Sequence, residues 1–209
     1  MKTTDHYLDE IKEIKKMMEQ STRFLSLSGL SGVLIGVYAL IGSFMAYKMI
    51  YLPGPLEYRK VYANQITTEL FLLAAGLLLV SLSTVVWLTF SKIRKTNQKF
   101  WSAGSRRLLI NLAIPLITGG ILILIFSYRG VYAVVAPFYL VFYGLALVNA
   151  AKYTRQEIFY MGLVEIGLGL LSALFPGIGL IFWALGFGLV HLIYGTVMHF
   201  RYDRKTEQA

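Results

Sequence analysis

Residues 162–195 read GLVEIGLGLLSALFPGIGLIFWALGFGLVHLIYG. Two apolar runs flank the turn FPGIG at 175–179, and in 34 positions only Glu165 and His191 ionise near neutral pH. Crossing the hydrocarbon of a bilayer takes roughly 20 mostly apolar residues, each adding about 1.5 Å. With their flanking residues the runs extend to about 158–175 and 179–200, close to that length, and the Pro and Gly between them stop one helix and release the next. A short link makes the two helices antiparallel neighbours. This stretch predicts a pair of membrane-crossing helices with an acid and an imidazole near their middles.

The rest of the chain repeats the pattern. Of its 209 residues 56% are hydrophobic and 15% charged, against about 25% charged in an ordinary soluble domain. Six stretches qualify as spans, at about 24–47, 67–90, 108–127, 131–150, 158–175 and 179–200. YLPGPLEYRK at 51–60 and SYRG at 127–130 supply two further reversals. The expected fold is all-α: a polytopic integral membrane protein of six transmembrane helices, arranged as three helical hairpins. Residues 1–22 form a cytoplasmic segment, 23–202 the transmembrane domain and 203–209 a cytoplasmic tail. The first 22 residues are charged throughout and do not resemble a secretory signal.

Orientation follows from the cations. With the N-terminus inside, sixteen of the twenty Lys and Arg fall on the inner side, leaving Lys48, Arg59, Lys60 and Arg129 outside. That asymmetry predicts a multi-pass protein of the cell membrane, of the bacterial inner-membrane type, with both termini cytoplasmic. It also accounts for the formal charge of +9 without nucleic acid. The inner loop contributes Lys92, Arg94, Lys95, Lys99, Arg106 and Arg107, expected to meet anionic lipid head groups. Tyr47, Tyr51, Tyr58 and Tyr62 would line the outer girdle, with Trp87, Phe100, Trp101, Tyr153 and Tyr160 lining the inner one.

DHYLDEIKEIKKMMEQ at 5–20 places Tyr7, Ile11, Ile14 and Met18 on one helical face, with charges of both signs elsewhere. This predicts a short amphipathic helix lying on the membrane surface or packed on the protein's own loops. Two heptads are too few to carry a coiled coil by themselves.

The second and sixth spans align without gaps at an offset of 110, with eight identities in the 22 positions from Ala74 to Lys95. Gly76 matches Gly186, and Ser81 takes the place of His191. Three similarly oriented repeats about an axis along the membrane normal would produce this pattern.

Glu165 lies about 15 Å from the hairpin tip and His191 about 18 Å, so both fall near the bilayer midplane on adjacent helices. Gly162, Glu165, Gly169 and Ser172 share one stripe at 100° per residue, and Ala184, Gly188, His191 and Gly195 share another. Small residues at that spacing let helix backbones approach closely. The glycine faces should therefore meet protein, bringing the two polar side chains within reach of each other. Burial penalises the charged form of each, so the pair is expected to form a neutral hydrogen bond or an ion pair with a shared proton. As simple glue such a bond contributes about 0.6–2 kcal/mol; as a function it would be a proton relay or ligand counter-ion. Tyr139, Tyr143 and Tyr194 could add hydroxyls.

Several chemistries find no support. There is no Cys, which removes thiolate ligands, disulfides and cysteine nucleophiles. With only His191 deep, haem would need an intersubunit pair or a second ligand of another type, and HExxH, GxSxG, P-loop and dinucleotide fingerprints are absent. No metal, cofactor or enzymatic activity is expected. Two function classes remain. One is a non-enzymatic structural or regulatory partner of another membrane protein, of a second copy or of lipid; the other is a small proton-coupled or solute transporter using Glu165 and His191.

Overall fold

A computed structural model describes Ile11 and residues 28–51, 63–96 and 101–203. Among them there is no strand, and six helices are long and apolar enough to cross a membrane. They are α1 (Gly29–Tyr51), α2 (Ala63–Thr96), α3 (Ala103–Tyr128), α4 (Val135–Ala151), α5 (Gln156–Leu174) and α6, which runs over Gly179–Asp203. Helices of this length and composition make the chain a multi-pass membrane protein by type. The amphipathic segment expected at 5–20 lies outside the described residues apart from Ile11, as do the 204–209 tail and the loop residues Tyr58, Arg59, Lys60, Tyr62, Lys99 and Phe100.

Local chemistry sets the ends. Ser102 caps α3 through a reciprocal pair: its hydroxyl accepts from the Ser105 N–H at 3.1 Å, and its own N–H donates to the Ser105 hydroxyl at 2.8 Å. This satisfies donors that a helix start leaves open. At the other end, Gly130 (φ 76°) makes the turn into the 3-10 segment Tyr132–Val134 that leads into α4, and Gly177 (φ 103°) makes the turn between α5 and α6. Both need the left-handed backbone that a side chain would strain.

Glycine decides which helices pack most closely. Gly144 of α4 and Gly162 of α5 face each other: a Cβ on either would stand 2.6–2.7 Å from the other's carbonyl oxygen. Gly169 admits Val141 and Leu140 of α4 in the same way. On the far side of the bundle, Gly32 of α1 meets Gly195 of α6, where a Cβ on Gly32 would be 3.0 Å from the Gly195 Cα. Gly36 rests against the Gly188 carbonyl and Leu192. Without a hydrophobic drive between helices in lipid, close backbone contact of this kind is what holds them. α3 adds to α4 through Phe126 against Phe138, rings 5.6 Å apart and edge-on. α2 packs on α1, with Leu77 set against Gly42 and Tyr38 3.5 Å from Thr84.

Two features depart from the sequence reading. The most extensive contact joins α4 to α5, across the boundary between two expected hairpins, whereas α5 and α6 touch at fewer places. In addition, α6 is not a uniform α-helix. It is α-helical over Gly179–Trp183, π-helical over Ala184–Val190, α-helical again from His191 to Met198, and π-helical at its end. The aligned stretch of α2 is unbroken α-helix, and among its described residues only Thr89 and Ile93, near its end, are buried, so the two halves of the apparent repeat occupy unlike environments.

The ends of the bundle are each tied. The Tyr51 hydroxyl donates to the Gly177 carbonyl at 3.1 Å, joining the end of α1 to the α5–α6 turn. At the opposite end Asp203 accepts from the Gly29 N–H at 2.9 Å, from the Ser28 hydroxyl at 3.2 Å and from Lys92 Nζ at 2.6 Å. One carboxylate thus links the end of α6 to the first turn of α1 and to α2.

Candidate functional site

Glu165 is the central residue of α5 and His191 the central residue of α6. Glu165 is 0% exposed and His191 3%. The His191 Nδ1 stands 3.7 Å from Glu165 Oε1, too far for a hydrogen bond. Its proton goes elsewhere, to the Gly186 carbonyl at 3.1 Å. A carbonyl can only accept, so Nδ1 is the protonated nitrogen, and in the neutral ring Nε2 accepts from the Tyr143 hydroxyl at 2.7 Å. Tyr143 comes from α4, so the imidazole ties α6 to α4 beside Glu165 of α5.

The π-helical turn makes this arrangement available. It puts one more residue into the turn before His191 and leaves the Gly186 carbonyl in reach of the ring five residues on. Phe187 stacks on His191 with rings 5.8 Å apart and 18° from parallel, and Tyr143 lies 4.9 Å from Phe187. Two aromatic rings, Phe187 and Tyr143, therefore lie against the imidazole.

The same turn overturns one expectation. A constant 100° per residue put Gly188, His191 and Gly195 on one face. The wider turn shifts Gly188, which faces α1 through Leu40; Gly195, one regular α-turn beyond His191, also meets α1, at Val33, while the His191 ring reaches toward α4 and α5. Gly186, which lies off the expected stripe, stands beside the acid: a Cβ on Gly186 would collide with the Glu165 carboxylate and with Leu140. On α5, Gly162 and Gly169 do pack against protein, but against α4.

Neither carboxylate oxygen of Glu165 has a hydrogen-bond partner in the protein. Ser172, two turns along the same stripe and 1% exposed, is also without one. An ionised carboxylate so placed would lack every donor that normally offsets its lost hydration, a cost of several kcal/mol. A carboxylic acid is far cheaper to bury. Chemically the site can hold a proton on Glu165 beside an imidazole whose two nitrogens are already engaged. No protein-family model, no curated protein and no solved structure matches this chain.

The remaining predicted residues are dispersed. Tyr194 packs against the core formed by Leu147, Met161 and Val190, and Tyr139 lies one turn from Tyr143, half-buried on α4. Arg94, Arg106 and Arg107 are exposed, whereas Lys92 is drawn inward onto Asp203. Asn111 donates to the Arg107 carbonyl at 2.8 Å, and His199 lies 3.3 Å from Asp203. Among the described residues, no three His, Asp or Glu side chains gather as metal ligands would. Sequence reasoning missed Gly186, Leu140 and the α1 glycines. The spacing Gly29, Gly32, Gly36 was a usable signal for the last of these, whereas the π turn left none for the first.

Proposed function

We propose that this chain is a non-enzymatic protein of the bacterial inner membrane, three helical hairpins with both termini cytoplasmic, that regulates another membrane protein in response to protonation of Glu165. The observation that carries this reading is the complete burial of a carboxyl group with no donor to either oxygen. Polar glue would be hydrogen-bonded. A group left unsatisfied at the centre of a span is instead a functional candidate.

Loss of the proton would set a bare charge 3.7 Å from His191. Two responses relieve it: the imidazole can give up Gly186 and turn its N–H to the carboxylate, or α6 can shift through its π turn to admit water. Either biases a two-state element, which is how a proton shifts a population. The far end of α6 carries Asp203, which grips α1 and Lys92 of α2, so a movement at mid-helix has a route to the cytoplasmic face. The cations counted on that face, with the apolar surface of α2 that α1 leaves open, supply contacts for anionic lipid and for a partner protein or second copy.

A second reading, a small proton-coupled carrier, is favoured by one feature: the titratable pair sits where a span departs from α-helical geometry, as substrate and coupling-ion sites of carriers often do.

Because the chain has no Cys, labels can be placed at will. Spin labels at Arg94→Cys and Val197→Cys, in liposomes taken from pH 8 to pH 5, should report a distance change that Glu165→Gln abolishes. An unchanged distance in the otherwise wild-type protein would remove the regulatory reading. Flux driven by a pH gradient and lost in Glu165→Gln would favour the carrier.

A further inference from the structure

The orphaned hydroxyl of Ser172 and the orphaned carboxyl of Glu165 lie about 10 Å apart along α5, and each is aimed at a glycine of α6. A Cβ on Gly179 would stand 3.6 Å from the Ser172 hydroxyl, and one on Gly186 would strike the Glu165 carboxylate. Where α6 presents no side chain, the seam between α5 and α6 has polar atoms on one wall and bare backbone on the other. Both polar side chains are at least nine-tenths buried and lack partners in the protein.

Between them lies Leu140. This side chain from α4 is 0% exposed and reaches from Gly169 on α5, where a Cβ would be 3.0 Å from its own Cβ, to Gly186 on α6. Gly169 itself separates Glu165 from Ser172 on their shared stripe. Leu140 therefore fills the seam at the level that divides the two polar groups. Beyond Ser172, α5 ends at Leu174, and the exposed turn through Gly177 follows.

We infer that the α4–α5–α6 seam is the route by which protons reach Glu165 from the Gly177 end of the bundle, with Ser172 as the polar station near its mouth and Leu140 as its apolar closure. The ligand is water carrying a proton. When Leu140 withdraws, water can bridge from the Ser172 hydroxyl to the carboxyl, and the net step moves one proton onto or off a Glu165 oxygen. The titratable groups facing Glu165 are Tyr143 from α4 and His191 from α6. Both lie on the far side of Leu140 from Ser172, so they receive the proton or hold the charge and do not deliver it.

This inference rests on the proposal that Glu165 binds a proton, and infrared spectroscopy in liposomes separates the two. A carboxylic C=O band that disappears in Glu165→Gln marks the bound proton, and its shift in D₂O times access. Leu140→Ala should exchange about tenfold faster than wild type, since exchange follows the frequency of opening. Ser172→Ala should exchange several-fold more slowly, and Ser172→Thr, which keeps the hydroxyl, should restore the rate. If Leu140→Ala does not fold, the two Ser172 variants decide. A Glu165 band whose exchange ignores all of these substitutions overturns the route and leaves the proton site standing. The absence of any Glu165-dependent band overturns both.

Discussion

His191 turns its Nδ1–H toward the backbone of Gly186 at 3.1 Å although a carboxylate oxygen of Glu165 is 3.7 Å away. The imidazole is thereby held by α4 and by its own helix, and the acid beside it is left to itself. This division of partners sets what each substitution should do.

His191→Ala removes two hydrogen bonds and a stacked ring from the centre of three helices. It should lower stability in detergent by about 2–4 kcal/mol. Glu165→Gln, an isostere of the neutral acid, should cost less than about 1 kcal/mol in the acid range. Thermal unfolding of the single variants and of the pair measures both. A coupling above about 0.5 kcal/mol is expected, since both residues adjoin Gly186.

Gly76 and Gly186 align in sequence but not in surroundings. A Cβ at Gly76 meets nothing within 4 Å, whereas one at Gly186 collides with Glu165 and Leu140. Gly186→Ala should destabilise by about 1–3 kcal/mol and Gly76→Ala should be neutral. Adding Glu165→Ala to Gly186→Ala should recover part of the loss, because the obstructing carboxylate is then gone. Denaturation curves for the three proteins settle the comparison.

Backbone contact between α1 and α6 leaves no room for a side chain at Gly195, whose Cβ would meet the α1 backbone at Gly29, Gly32 and Val33. Gly195→Leu should abolish the folded monomer peak in size-exclusion chromatography. Gly167→Leu, at a position open to 4 Å, should leave it intact.

Asp203 holds four groups, on Ser28, Gly29, Lys92 and His199, with side-chain exposure of only 12%. Asp203→Asn should cost about 1.5–3 kcal/mol, the range for hydrogen bonds to a charged group. It should also speed proteolysis near the start of α1. Raising salt should reproduce little of this effect, because screening acts weakly on partly buried pairs.

The cation count predicts sides. A maleimide that cannot cross membranes should label Tyr132→Cys in intact cells and should label Arg107→Cys only after permeabilisation. The reverse result would invert the topology and move the proton route to the cytoplasmic face.

Sequence by itself determined the class of this protein. Long apolar runs punctuated by Pro and Gly are a local property, and six helices of spanning length follow from it wherever the neighbours lie. The depth of Glu165 and His191 was legible for the same reason: counting from a turn is counting along one helix. Faces were legible only while the helix stayed regular. At the π turn of Ala184–Val190 the projection slipped, so that Gly186 stands opposite the acid and Gly188 faces α1.

Tertiary structure alone decided who touches whom. Nothing in the spacing of Glu165 and His191 says that Tyr143 and the Gly186 carbonyl outbid the carboxylate for the imidazole, or that Leu140 of α4 lodges between Glu165 and Ser172. Those outcomes depend on how close two backbones can come, and that distance is set jointly by glycines on different helices. A pattern read along one chain fixes what each face offers, whereas which faces meet is a choice among packings that differ by a few contacts.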